Sequence, residues 1–353
     1  MTDRLILTRP DDWHLHLRDG DLLAATVAPT AAVFGRAIVM PNLLPPVTTT
    51  AQAQAYRARI LAAAPAGSGF EPLMTLYLTE ATTAAEIATA RASGIVHGAK
   101  LYPAGATTNS QSGVADVRRI WPLLAAMQEA DLPLLVHGEV TDAQVDVFDR
   151  EAVFIERHLA PIVEAFPALR VVFEHVTTAD AVAFVQQARP GVAATVTPQH
   201  LLMNRNDLFA GGLRPHHWCL PVLKRRRHQE ALRTAVASGD PRFFLGSDSA
   251  PHARRDKESA CGCAGCYSAP AALPLYAQVF EELGCLDRLE AFASHHGADF
   301  YGLPRNTGRI VLERSGWTVP DELPFGAGGI VPYWAGRPLQ WRVADTAALA
   351  SAD

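Results

Sequence analysis

The chain has 353 residues, 49% hydrophobic and 19% charged, with a net charge of −5. That length and apolar share allow a large core, and the mildly acidic balance argues against a nucleic-acid surface. No run reaches the roughly 18 consecutive apolar residues of a membrane span, and residues 1–12 carry acids and a proline without an apolar h-region, so neither a membrane anchor nor a secretory signal is expected.

Short apolar or β-branched runs alternate with helical patterns along the chain. Strands are predicted over 5–17, 37–40, 73–78, 96–102, 134–137, 171–175, 192–196 and 243–246. Helices are predicted over 50–63, 83–92, 114–130, 150–166, 179–188 and 228–238. The basic run Lys224-Arg225-Arg226-Arg227 reads as a solvated helix start. Alternation of this kind predicts an α/β protein with a parallel sheet. Eight units predict closure into a (β/α)8 TIM barrel. Two further helices are predicted over 269–283 and 286–300. The Gly- and Pro-rich tail from Gly302 reads as an extension packed over the barrel. Only about a dozen residues precede the first histidines, so no β-sandwich is expected, and residues 1–353 read as one domain. Five cysteines, an odd count, fit a reducing cytoplasm better than a disulfide framework.

The chemistry sits at strand ends. His14 and His16, at i and i+2 on the first strand, project to the same side. His137 closes Leu134-Leu135-Val136, His175 closes Val171-Val172-Phe173-Glu174, and Asp248 follows the eighth strand. A barrel assembles a metal site in this way, with ligands from several strands at one rim. Lys100 lies inside the 96–102 strand. A lysine facing inward is expensive to keep charged, and burial makes its amine nucleophilic. Such an amine can take up CO2, giving a carbamate able to bridge two cations. Four imidazoles, that carbamate and one carboxylate suit two Zn2+, with Co2+ or Mn2+ as substitutes. A two-metal site polarises a carbonyl and activates water. Asp248 would pass the proton to a leaving nitrogen.

His-x-His on the first strand, Lys on the fourth, His on the fifth and sixth and Asp on the eighth together resemble the amidohydrolase superfamily. The segments 12–20, Met40-Pro41-Asn42, 100–103, Arg214-Pro215-His216, 246–252 and Cys261-Gly262-Cys263-Ala264-Gly265-Cys266 are similar to dihydroorotases of the bacterial, monofunctional type. The resemblance covers nearly the whole chain. It implies reversible, metal-dependent closure of N-carbamoyl-L-aspartate to L-dihydroorotate in pyrimidine biosynthesis. It implies one zinc on His14, His16, carbamylated Lys100 and Asp248, and a second on the carbamate, His137 and His175. It assigns Arg18, Asn42 and His252 to the substrate carboxylate, with His137, and the backbone at Leu220 and Ala264, also at the substrate. A homodimer is the family's common assembly. The arginine's forked donors suit a carboxylate.

The loop 105–113 is small, polar and flanked by glycines; with the resemblance it reads as a lid in which Thr107 and Thr108 meet the substrate. Cys261, Cys263 and Cys266 lack a fourth ligand nearby and read as a substrate-proximal loop and not a metal site. His97 is expected to point away from Lys100, and 215–218 to support the substrate loop. Two competing readings use the same scaffold. A hydantoinase or dihydropyrimidinase would share the metal set without needing Arg18, Asn42 and His252 for a carboxylate. A non-catalytic barrel would have lost a metal ligand, and none is missing.

Overall fold

The computed structural model describes residues 3–344. Eight parallel strands pair in sequence order: β2 (Asp11–Leu15), β3 (Arg36–Val39), β4 (Glu71–Tyr77), β5 (Val96–Leu101), β6 (Leu134–Val136), β7 (Val171–Phe173), β8 (Val192–Val196) and β9 (Phe243–Leu245). Their period-2 alternation has a use on both faces. Leu135, Val172 and Phe244 fill the barrel interior, while Leu134, Val136, Val171, Phe173 and Leu245 pack outward against the helices. The seam closes through a parallel bridge between Leu15 and Ser249. There the Asp248 N–H donates to the His14 carbonyl at 2.8 Å, and the His16 N–H to the Ser249 carbonyl at 2.9 Å.

The β2–β3 register slips by one residue between Asp12 and Leu15. Such a bulge lets neighbours in sequence share a face. Trp13 joins the interior cluster with Phe244 while His14 reaches the site. Trp13 stacks on Tyr301 at 4.7 Å between centroids and 9° between planes. Beside it Asp11 and Arg36 form a buried two-point ion pair at 2.5 and 3.0 Å.

The predicted strand over 5–17 is two strands. Pro10 has no N–H to give a ladder, and the chain breaks there into β1 (Arg4–Thr8) and β2. β1 leaves the barrel and pairs antiparallel with β10 (Arg309–Thr318). The tail then continues through the hairpin β11 (Leu323–Phe325) and β12 (Gly328–Ile330) to β13 (Pro338–Val343), which pairs with the other edge of β10. The tail packs on the barrel through this sheet, with Ile310, Leu312 and Trp341 in the main core. Both ends of the described chain knit a three-stranded sheet, with no sandwich among the described residues.

Helices run close to their predicted bounds over Thr50–Ala63, Ala84–Ala92, Ala179–Gln187 and Arg226–Ser238. Thr49, Thr83 and Thr178 cap the first three through their side chains. The 114–130 helix is shorter than predicted. Asp116 caps a 3-10 turn, and the α-helix starts only at Trp121, with Pro122 in its first turn. The 150–166 and 286–300 helices each contain a π turn. Among the described residues three α-helices lie outside the predicted ranges, the short Pro198–Leu202 and Arg254–Lys257 and the longer Leu23–Val33. The last is the largest miss. It carries Pro29 and is apolar nearly all round, so it shows no polar stripe at helical spacing.

Gly297 passes so close to Trp13 that an added Cβ would overlap the indole, whereas at Gly316 the nearest atom to a Cβ is 3.9 Å away. Gly297→Ala should lower stability by roughly 1–3 kcal/mol through overpacking, and Gly316→Ala by less than about 0.5 kcal/mol; urea unfolding of the two variants checks both.

Candidate metal and substrate site

The predicted ligands meet at the C-terminal rim of the barrel. His14 is on β2 and His16 just beyond it, Lys100 is on β5, and His137, His175 and Asp248 follow β6, β7 and β9. All are buried except His16, which is partly so. Ring centroids are 5.4 Å apart for His14–His16 and 4.9 Å for both His14–His175 and His137–His175. Asp248 Oδ1 lies 3.3 Å from His14 Nε2 and 3.1 Å from His16 Nε2. Backbone geometry contributes to this convergence. Arg18 (φ 62°), Asn109 (φ 56°), His175 (φ 42°) and Asp248 (φ 45°) all adopt left-handed backbone, which non-glycine residues rarely do. At His175 and Asp248 the chain turns out of its strand at the site itself, a pattern that accompanies function.

Two carboxylates absent from the predicted set complete the centre. Glu174 contacts Lys100 Nζ directly and lies 2.9 Å from His14 Nδ1. Glu139 accepts from His137 Nε2 at 2.8 Å. Glu174 precedes His175 in the sequence and Glu139 lies two residues beyond His137, but local pattern does not pair Glu174 with Lys100 and His14 or Glu139 with the His137 ring. Burial pushes Asp248 upward, but hydrogen bonds from His14 and His16 outweigh it and hold its pKa well below the ordinary carboxylate range. Burial likewise opposes charge on His14, yet Glu174 and Asp248 raise it to about 9. His16 is lowered by burial to about 4, and His175 falls well below its ordinary value for the same reason. Burial also lowers the Lys100 ammonium, with Glu174 opposing. His97 is partly exposed while Lys100 is buried, as expected from opposite sides of one strand.

These groups fit divalent ions. His14, His16 and Asp248 bring ligand atoms within 4.8 Å of one another, as do His14, Glu174 and His175. The His175 Nδ1 is buried without a hydrogen-bond partner. A field strong enough to hold a proton on His14 also draws a metal cation, and neutral His16 and His175 offer lone pairs. The three cysteines of 261–266 do not join such a cluster among the described residues.

A small, partly enclosed cavity opens over this centre. His14, His16, His137, His175 and Asp248 share its wall with Arg18, Asn42, Thr107, Thr108, Leu220 and Ala264. Lys100 and His252 are not on that wall. His252 stands behind Arg18, its Nε2 2.9 Å from the guanidinium and 3.0 Å from the Ala264 carbonyl. Burial first and then Arg18 lower His252 to about 2, so it is a neutral ring. Asn42 Oδ1 lies 2.8 Å from His16 Nδ1 and fixes the ring with Nε2 3.1 Å from Asp248. Lys257 is a further residue missed in the sequence: its buried ammonium donates to the carbonyls of Trp218 at 2.7 Å and Gly265 at 2.8 Å. It staples Trp218, two residues before Leu220, to the loop carrying Ala264.

Residues 6–319 match the amidohydrolase family model. A dihydroorotase of Cupriavidus necator is 65% identical over 97% of this chain and 99% of its own length. The dihydroorotase structure from Campylobacter jejuni is similar with a TM-score of 0.89 and 35% identity, covering 98% of each chain. That of Saccharomyces cerevisiae, in complex with 5-fluoroorotic acid, gives 0.89 and 33%, covering 97% of this chain and 99% of its own. An L-hydantoinase of Arthrobacter aurescens shares the fold alone, at 17% identity and a TM-score of 0.79 over 96% of this chain and 83% of its own.

Glu139 fixes the His137 ring and leaves its other nitrogen for an ion. Glu139→Gln keeps the shape and removes the charge, and should weaken divalent-ion binding by roughly 10- to 100-fold; chelator competition with the metal-loaded protein measures it.

Proposed function

The chain belongs to the amidohydrolase family and, within it, to the dihydroorotases, and on that premise we propose how its residues divide the reversible closure of N-carbamoyl-L-aspartate to L-dihydroorotate. The observation that carries the assignment of residues is the state of Arg18. Its guanidinium is half-buried at the cavity wall, and its direct partners are the Pro251 carbonyl at 2.8 Å and neutral His252. A partly desolvated cation whose direct partners are neutral favours an anion, and a carboxylate matches its fork. The substrate ring of a dihydroorotase carries that carboxylate; hydantoin and dihydrouracil do not.

In this reading Arg18, Asn42 and His252 hold the ring carboxylate, His252 acting through Arg18. Leu220 and Ala264 offer backbone groups to the ring, and His137 faces it from the cavity wall. Thr107 and Thr108 cover it and exclude water. Two Zn2+, with Co2+ or Mn2+ as substitutes, would be held by His14, His16, His137, His175, Asp248 and a CO2-derived carbamate on Lys100. When bound, they would supply Lewis-acid polarisation of the carbonyl and a water of lowered pKa. Asp248 handles the proton. In ring opening a carboxylate oxygen takes it up and releases it to the leaving ring nitrogen; in closure the same oxygen receives it from the attacking ureido nitrogen. Closure consumes one proton and releases water, so atoms balance.

The reading extends to one domain, a homodimer and a cytoplasmic setting. A symmetric dimer is the commonest assembly for a soluble enzyme, and all five cysteines are free. No helix of the described residues is long and apolar enough to cross a membrane.

Purified protein should hydrolyse L-dihydroorotate, lose that activity on chelation, and leave dihydrouracil and hydantoin untouched. Turnover of the uncharged rings in its place would overturn the carboxylate clamp. Lys100→Ala should lose metal and activity together, with partial return on adding a short carboxylic acid; metal analysis finding two ions per chain in that variant would contradict the bridging carbamate.

A further inference from the structure

The 105–113 loop is a wall between two cavities. The inner one has Thr107 and Thr108 on its surface; the outer, more open one has Asn109. Arg18 and Asn42 line both. The loop is tied within itself through Ser110. Ser110 Oγ accepts from the Thr107 N–H at 2.8 Å and donates to the Thr107 carbonyl at 2.6 Å. The Ser110 carbonyl accepts from the Gly105 and Gly113 N–H groups at 3.0 and 2.9 Å. A segment bonded in this way swings as one piece about its ends.

Its hold on the body gathers around Asn109 and Thr108. Asn109 Nδ2 donates to the Asn42 carbonyl at 3.0 Å, and Asn42 Nδ2 returns a bond to the Thr108 carbonyl at 3.0 Å. The Tyr77 hydroxyl donates to the Asn109 carbonyl, and the Thr108 hydroxyl to the Ala264 carbonyl, both at 3.3 Å. Asn109 is in left-handed backbone at φ 56°, a conformation that asparagine tolerates better than other residues with a Cβ. Its amide therefore faces Asn42 from the outer side while its two predecessors face inward. The same Asn42 side chain holds His16 Nδ1.

We propose that Asn109 is the bolt of the lid, a positioning residue that shuts the passage from the outer cavity to the inner one by docking on Asn42. The outer cavity is then the vestibule through which the anionic substrate reaches Arg18. This rests on the reading of 105–113 as a lid over bound substrate.

Asn109→Gly tests it, because glycine keeps the left-handed backbone and removes only the amide. In the metal-loaded enzyme without substrate, hydrogen exchange across 105–113 should speed up roughly fivefold, the change expected for one lost hydrogen bond. KM for dihydroorotate should rise by a similar factor, with kcat within about twofold. Tyr77→Phe, which removes another bond to Asn109, should move both readouts the same way by less. Unchanged exchange and KM in Asn109→Gly would overturn the proposal. So would a fall in kcat with loss of metal, which would make Asn109 a prop of the site. Should the enzyme fail to open dihydroorotate, the exchange measurement still decides the bolt while the substrate reading falls separately.

Discussion

When β9 closes against β2, the Asp248 N–H meets the His14 carbonyl at 2.8 Å, and the Asp248 side chain is carried to within 3.3 Å of both the His14 and His16 rings. The other features of the site follow from this closure. The seam is reinforced from beneath. Asp12 accepts from the Ser247 N–H and hydroxyl at 2.9 and 2.5 Å and from the His14 N–H at 3.2 Å, so one buried carboxylate ties both strands of the seam together. Burial raises Asp12 to about 6 despite those bonds. The cost of keeping it there is offset only where both strands are in place, which couples site geometry to barrel closure.

The second organising feature is charge held in low dielectric. Glu174 and Asp248 surround His14; Glu174 also meets Lys100; Glu139 meets His137. Buried anions of this kind are stable only with cations close by. Arg18 presents the opposite case at the cavity wall, a half-buried cation whose direct partners are neutral. The two halves ask for different ligands, cations below and an anion above. A substrate that is itself an anion with a polarisable amide answers the upper half.

Much of this was legible from residue order. Histidines and an aspartate placed just past apolar runs carry their own address, because a barrel strand is buried on both faces and its end is the rim. The break between β1 and β2 at Pro10 and the strand β13, with buried Leu339 and Trp341 alternating with exposed Gln340 and Arg342, went unread, the first inside a continuous run and the second in a tail rich in Gly and Pro. Glu174, Glu139 and Lys257 were hidden for a different reason. Each acts by touching a residue that is near in space, and local pattern carries no record of that. The Asn109–Asn42 contact is of the same kind: 67 residues separate the partners, and nothing in the loop's composition names Asn42. The helix over Leu23–Val33 escaped because alanines and Pro29 occupy its outward face, so no polar stripe marks the amphipathic spacing.

The pairing of β1 with β10 has a consequence for how the molecule comes to exist. Arg4 lies opposite Glu313, so β1 has no partner until the roughly 300 residues between them have been synthesised. At roughly 5–20 residues per second, that is a wait of about 15–60 s. The barrel seam imposes a similar delay on His14 and His16, whose neighbours Asp248 and Ser249 also emerge late. Contacts of such long sequence separation form slowly because loop closure comes before its reward. The histidine pair at the start of the chain is thus left open through most of translation, and the ion site is among the last things to be assembled.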